Sequence, residues 1–369
     1  MADYHTRGKN NKFVVTCLAS LFAINVASTA MAQSTPTELA DWSLEDLIDI
    51  DLKKGFDDGN SLVDSKWEFG YTFRRVNFGG YKNGTQDLSF DDVLASPGET
   101  RTSSNFPVVP TYITQNVHAL SAAHHVTDSI TLSMLVPIIS QETEHISSVP
   151  GFDEFTLKTD GIGDIAVNAS FQHQMSKKDV FKTSLGLRLP TGSIDQTGDT
   201  PRNGTGTDER LPYTMQLGSG TYDFALSLKY VRSGTDFNYG GGLNSTVRTG
   251  QNDNNYRLAD SHNVGIWSQY TKNFRFKPGV RVNYRYSSHI KGRDDALLVP
   301  GPFIYPASIT DPENYGHNKI SATAYITSCL VKDCKVSFTG SFSKPLYQKL
   351  NGIQPKEKNN FAFGTSIKF

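Results

Sequence analysis

Phe361-Ala-Phe-Gly-Thr-Ser-Ile-Lys-Phe369 is the stretch on which the fold turns. Read with a period of two, Phe361, Phe363, Thr365, Ile367 and Phe369 share one face, and Ala362, Gly364, Ser366 and Lys368 share the other. The first face is greasy and finishes on an aromatic; the second is small or charged. A soluble edge strand can carry this pattern. So does the closing strand of a bacterial outer-membrane barrel, where lipid-facing and lumen-facing residues alternate and aromatics sit at the interface. The preceding residues decide between the two.

They alternate in the same way. Trp67, Phe69, Tyr71 and Phe73 oppose Glu68, Gly70, Thr72 and Arg74. A less clean segment follows at about 111–123. Ile130 to Ile138, Asp164 to Gln172, Ser184 to Leu189 and Phe224 to Tyr230 then repeat the pattern, as do segments near 237–243, 264–270, 280–286, 320–326 and 336–343. With 361–369 this predicts twelve strands, an even number as such barrels require. Short turns are expected near 124–129, 175–178, 233–235, 272–275 and 328–335. Long polar connections are expected at about 83–110, 141–161, 191–220, 249–261, 290–316 and 347–359. Every long connection falls on one end, as in a transmembrane barrel with short periplasmic turns. A soluble sandwich has no reason for that asymmetry.

Composition agrees. Of 369 residues 37% are hydrophobic, with 31 Gly, 16 Tyr and 22 Phe, and mean hydropathy is −0.40. Past residue 32 no apolar run approaches the length of a spanning helix, whereas spanning strands leave a much weaker signal. Thirty-six basic against 37 acidic residues give a formal charge of −1, so no nucleic-acid partner is expected.

Residues 1–32 read as a signal peptide. Arg7, Lys9 and Lys12 precede an apolar stretch from Phe13 to Ala27, and Ala30-Met-Ala32 supplies the small-x-small cleavage site. Residues 33–64 form a periplasmic segment with one short helix. Ser43 is its N-cap, Asp46 sits three residues on, Trp42 faces Leu47, and Gly55 follows Lys53-Lys54 as the stop. Its Ser-Leu-Glu-Asp-Leu core resembles the segment ahead of the plug in TonB-dependent receptors. Residues 65–369 form the barrel. Cys329 and Cys334 flank a tight turn between strands, and in an exported chain this spacing predicts a disulfide.

The scan for catalysis is negative. There is no Gly-x-Ser-x-Gly elbow, His-Glu-x-x-His or Walker loop, and no enzyme activity is expected. Outer-membrane phospholipases use a Ser/His pair on a barrel wall, but His118 and Ser121 stand three apart on one strand and so face opposite ways. His289 lies where a strand passes into a loop. His124-His125 reads as a solvated turn, and Asp195, Asp199, Asp208 and Glu209 as a hydrophilic loop without EF-hand spacing. No cofactor or metal is expected.

Placing the polar face inward puts Glu68, Arg74, Asp164, Arg188, Lys229, Arg281 and Arg285 along the lumen. Seven charges, five of them basic, require pairing or water. They imply either an ion-paired filling or the lining of a polar passage, and the basic excess suggests a preference for anions.

Three motifs carry a resemblance. Asp160-Gly-Ile-Gly-Asp-Ile165, Leu187-Arg-Leu-Pro-Thr-Gly192 and Leu217-Gly-Ser-Gly-Thr-Tyr-Asp223 occur in the order seen in the outer-membrane family named for the meta-pathway of phenol degradation. That family is similar to transporters of hydrophobic compounds. The resemblance implies a barrel that passes small, hydrophobic or aromatic molecules. The alternatives are a closed structural or surface-binding barrel and, further off, a lipid hydrolase. The expected partners are outer-membrane lipid, the barrel-assembly machinery, for which Phe361, Phe363, Ile367 and Phe369 form the signal, and a small-molecule solute.

Overall fold

The computed structural model describes residues 66–202, 207–330 and 334–369. The expected signal peptide and the expected helix within 33–64 lie outside the described residues. Among those residues there is no α-helix, and four single 3-10 turns interrupt the loops.

Eleven strand elements form the sheet. They are β1 (Trp67–Gly84), β2 (Val108–His125), β3 (Ile130–Ser147), β4 (Ile165–Gln174), β5 (Asp179–Leu189), β6 (Asp223–Ser233), β7 (Phe237–Arg248), β8 (Ser261–Tyr270), β9 (Lys277–Ser287), β10 (His317–Cys329) and β11 (Val336–Lys368). Each pairs antiparallel with the next in sequence, and β11 pairs back onto β1, so the ring closes. Two further strands of the same sheet stand outside the ring, and four short ones form two separate pairs, Thr197–Asp199 with Asp208–Arg210 and Tyr256–Arg257 with Lys291–Gly292. Gln86–Leu88 extends β1, and Glu154–Ile162 lies against the far half of β3.

The count differs from the twelve separate strands expected. The last two expected strands belong to one element, β11, and the polar connection expected at 347–359 is strand. β11 pairs with β10 through Leu350 and with β1 from Leu350 onward, so it doubles back at that point. Its two arms then lie side by side, with Lys368 N–H donating to the Lys335 carbonyl at 2.9 Å and the Phe338 and Phe363 rings 6.0 Å apart. Residues such as Gln354, Lys356, Glu357 and Lys358 read as loop because ladder pairing uses only the backbone and tolerates polar side chains.

The ring has two unlike ends. Turns at 126–129, 175–178, 234–236, 271–276 and 330–335 are short, whereas 85–107, 190–222, 249–260 and 288–316 are long. Cys329 and Cys334 form a disulfide at the short-turn end, their Cα atoms 4.8 Å apart. There too, Trp67 and Phe369 bond reciprocally through their backbones at 2.9 and 3.2 Å. The outward face carries the apolar half of each alternation, with Leu185, Ile266 and Val280 each more than 60% exposed. Trp67, Phe69, Phe171, Phe237 and Phe276 stand exposed near the short turns, and Tyr222, Phe224, Tyr284 and Tyr347 near the long loops. Between such rims, the exposed Ile130–Ile138 run covers roughly 30 Å of strand, or about 20 Å of height at a 45° tilt.

Candidate functional site

The inward face is of two kinds. From β5 round to β1 it is polar. One cavity of about 70 Å³ is lined by Arg74, Arg281, Arg285, Lys319, Glu357 and neighbouring Ser, Thr and Asn side chains. A second, lined by Lys182, Ser227, Lys229 and Asn244, shares Arg281 and Asn283 with the first. The two cavities thus gather six cationic side chains around one carboxylate, that of Glu357, which bonds the buried Lys319 ammonium. On β2, β3 and β4 the inward face is less charged: Ile113, Val117, Ala119, Leu135 and Ala166 cluster with Val76 and Phe78 of β1, beside buried Gln115, Gln141, Asn168 and Ser170.

The sequence-derived charges separate accordingly. Arg74, Arg281 and Arg285 meet in the first cavity, and Lys229 joins Arg281 in the second. Arg188 is buried, and Glu68 faces Lys368 across the β1–β11 seam at 3.8 Å. Asp164 lines neither cavity. Its carboxylate accepts from Gly192 N–H at 2.9 Å, Ser219 N–H at 2.8 Å and Ser219 Oγ–H at 2.7 Å. Each of the three family-like motifs supplies one of these residues, so the motifs form a single junction pinning the 190–222 loop. The junction is too tight for side chains. A Cβ on Gly218 would stand 2.4 Å from the Gly192 carbonyl oxygen, and one on Gly192 2.5 Å from that of Leu217.

Loops cover the long-loop end. Tyr213, Tyr256, Leu258, Ile290, Leu297 and Tyr315, from three different loops, form one buried cluster. The Tyr213 ring stands 4.8 Å from that of Tyr256 and 5.6 Å from that of Tyr315, and Asp294 N–H donates to Tyr213 Oη at 3.0 Å. The 288–316 loop leaves β9 and returns at β10, yet Val108 N–H at the start of β2 donates to its Pro306 carbonyl at 3.1 Å. Since β2 and β10 stand four strands apart round the ring, this loop reaches across part of the mouth. It closes an apolar pocket of about 110 Å³ with Val108, Phe155, Leu157, Pro212 and Ile309 in its wall. Sequence patterning gave no warning of the pocket, because its residues come from four loops and strand ends far apart in the chain.

His145 at the end of β3 also lines it. Its ring is 4% exposed and stacks on Phe155 with centroids 4.5 Å apart and planes 3° from parallel. Burial pushes this imidazole down to about 4, against partial opposition from the Phe155 and Thr143 backbone carbonyls, so it is neutral at neutral pH. Its Nδ1 is buried without a hydrogen-bond partner.

The other candidates are not assembled into sites. His118 Nδ1 is bonded to Tyr71 Oη at 2.8 Å and its ring packs on Phe73, while Ser121 lies opposite Gly70. His124 packs against Trp67 with the rings tilted, and His125 Nδ1 is 3.0 Å from Thr131 Oγ1. Asp195 pairs with Arg210 at 2.8 Å and Glu209 with Arg202 at 3.2 Å. Among the described residues no group of three or more His, Cys, Asp or Glu could hold a metal ion.

No protein-family model and no curated protein matches the chain. Solved structures do. An outer-membrane channel from Pseudomonas putida F1 superposes with a TM-score of 0.54 at 14% identity, covering 85% of this chain and 99% of that one. The toluene transporter TbuX of Ralstonia pickettii gives 0.41 at 12% identity, covering 84% and 90%, and the CymD monoaromatic hydrocarbon channel 0.42 at 9%, covering 93% and 99%. At such identities the first of these likenesses speaks to architecture: the chain has the closed antiparallel barrel fold of that outer-membrane channel.

Proposed function

We propose that this protein is a bacterial outer-membrane channel for the passive passage of small, apolar or aromatic molecules. In this reading the chain is exported by residues 1–32, keeps 33–64 in the periplasm and spans the membrane with 65–369. Its wall is crossed twelve times, because β11 crosses twice. The observation that carries the reading is a closed ring whose apolar side chains face outward all round. Soluble monomers rarely expose a contiguous apolar patch larger than a few hundred Å². A complete apolar belt between aromatic rims needs lipid, and an inward face holding six cations needs water. The resemblance in three motifs to the phenol meta-pathway family fits the same solute class.

The loop cluster across the mouth favours a second reading, a closed scaffold that binds partners at its surface. Planar-bilayer recording of refolded protein separates them. Discrete conductance steps, with reversal potentials favouring anions, are expected of the channel. Their absence at all voltages would leave the scaffold.

A further inference from the structure

The pocket beneath the 288–316 loop has the shape and chemistry of a ligand site. At about 110 Å³ it is of the order of an apolar cavity that takes up benzene, about 150 Å³ in an engineered case. Its wall is almost wholly apolar. Phe155 joins the two side-chain clusters that flank it, Val108–Ala307–Ile309 and Leu157–Leu211–Met215. The one cation at its edge, Arg202, is taken up by Glu209 at 3.2 Å and by the Ala296 carbonyl at 2.6 Å. Thr310 Oγ likewise donates to the Ala307 carbonyl at 2.8 Å.

That leaves His145 as the polar group with capacity to spare. A neutral imidazole has one N–H donor and one acceptor nitrogen. Here Nδ1 is buried without a hydrogen-bond partner, while the Phe155 and Thr143 backbone carbonyls lie where they attract the ring N–H, which leaves the neutral ring one acceptor nitrogen. An apolar pocket with one imidazole in its wall matches a molecule with one donor on an apolar body.

We propose that this pocket captures an uncharged, single-ring molecule carrying one hydrogen-bond donor, its ring against Phe155 and Val108 and its donor on His145. The pocket rejects a carboxylate, which would bury a charge beside an acceptor with no cation to meet it. The position suits delivery. His145, Ile139 and Leu135 share the inward face of β3, and the apolar interior begins at Ile139 and Val117, roughly 20 Å along the strand, below a polar level at Gln115 and Gln141. The capture site rests on the channel reading for its purpose and stands independently of it as a binding site.

The test is ¹⁹F NMR titration of the protein in lipid nanodiscs, with empty nanodiscs subtracted. The probes are 4-fluorophenol, fluorobenzene and 4-fluorobenzoate. Saturable binding is expected for the first, about tenfold tighter than for fluorobenzene, and none for the benzoate. His145→Phe should bring phenol and fluorobenzene to parity, and Ala307→Phe, which fills the pocket, should abolish both. Equal binding of the two neutral probes to the unmodified protein, preference for the benzoate, or binding unaffected by Ala307→Phe would overturn the site. The first two comparisons need no variant to fold. Bilayer conductance of the same preparation keeps the readings apart. Conductance without saturable binding refutes the pocket alone, and saturable binding without conductance refutes the channel alone.

Discussion

The polar wall between β5 and β1 and the apolar cap over the mouth solve opposite problems. The wall is built from strands, its charges placed by alternation and held by ladders on both sides. The cap is built from loops, its tyrosines and prolines brought together from segments that share no pattern. The wall keeps buried charges by wetting or pairing them. The cap buries apolar groups and leaves one imidazole nitrogen waiting. A molecule crossing such a barrel would shed water at the cap before it met charge at the wall, so selection by size and polarity comes first.

Four changes would break or sharpen this contrast. Glu357→Ala removes the carboxylate from buried Lys319 and should cost about 3–5 kcal/mol, read as a lower midpoint of urea unfolding in lipid. Combining it with Lys319→Met should recover most of the loss. Acid should act on the cap. His145 is held down near 4 by burial, against about 6.5 in an unfolded chain. Its neutral form therefore costs nothing above pH 6.5. The His145 contribution is lost as pH falls from there toward 4, by on the order of 3 kcal/mol, and Asp311 in the 288–316 loop, pushed up to about 6 by burial, offsets part of it as its carboxyl protonates over the same range. Hydrogen exchange at pH 4.5 should quicken around 143–157 while the short-turn halves of β8 and β9 stay protected; equal loosening of both would erase the distinction. Cys334→Ser should cost about 2 kcal/mol from the small loop it opens, without altering conductance. Smallest in energy, Arg281→Ala removes the cation shared by both polar cavities. It should lower the anion-to-cation permeability ratio severalfold, under about 1 kcal/mol, and an unchanged reversal potential would show that the wall does not select ions.

The wall was legible in the chain because alternation is a local rule. Val280 to Tyr286 declares both of its faces within seven residues, and Arg281 and Arg285 lie in one cavity as their spacing implies. Three features were not legible. The second arm of β11 is strand despite Pro355-Lys-Glu-Lys358, since pairing beyond the apolar belt puts no demand on side chains. Asp164 alternates like a lumen charge, yet its carboxylate is spent on the Gly192 and Ser219 amides, a pairing set by where two distant loops return. The pocket could not be foreseen at all: Val108, His145, Phe155, Pro212 and Ile309 become neighbours only once the ring has closed and the 288–316 loop has reached across part of its mouth.

The reciprocal bonds between Trp67 and Phe369 have a consequence in time. Every other seam in the ring joins neighbours in the chain and can form as soon as a hairpin exists. This one joins residues about three hundred apart, so its loop-closure entropy is the largest in the molecule and its formation the slowest. Until it forms, β1 and the last arm of β11 are two long unpaired edges, the surfaces on which strands of different chains add to one another. A chain lacking its final residues would thus remain a sticky open sheet, and the cell has reason to hold both edges apart from other chains until the ends meet.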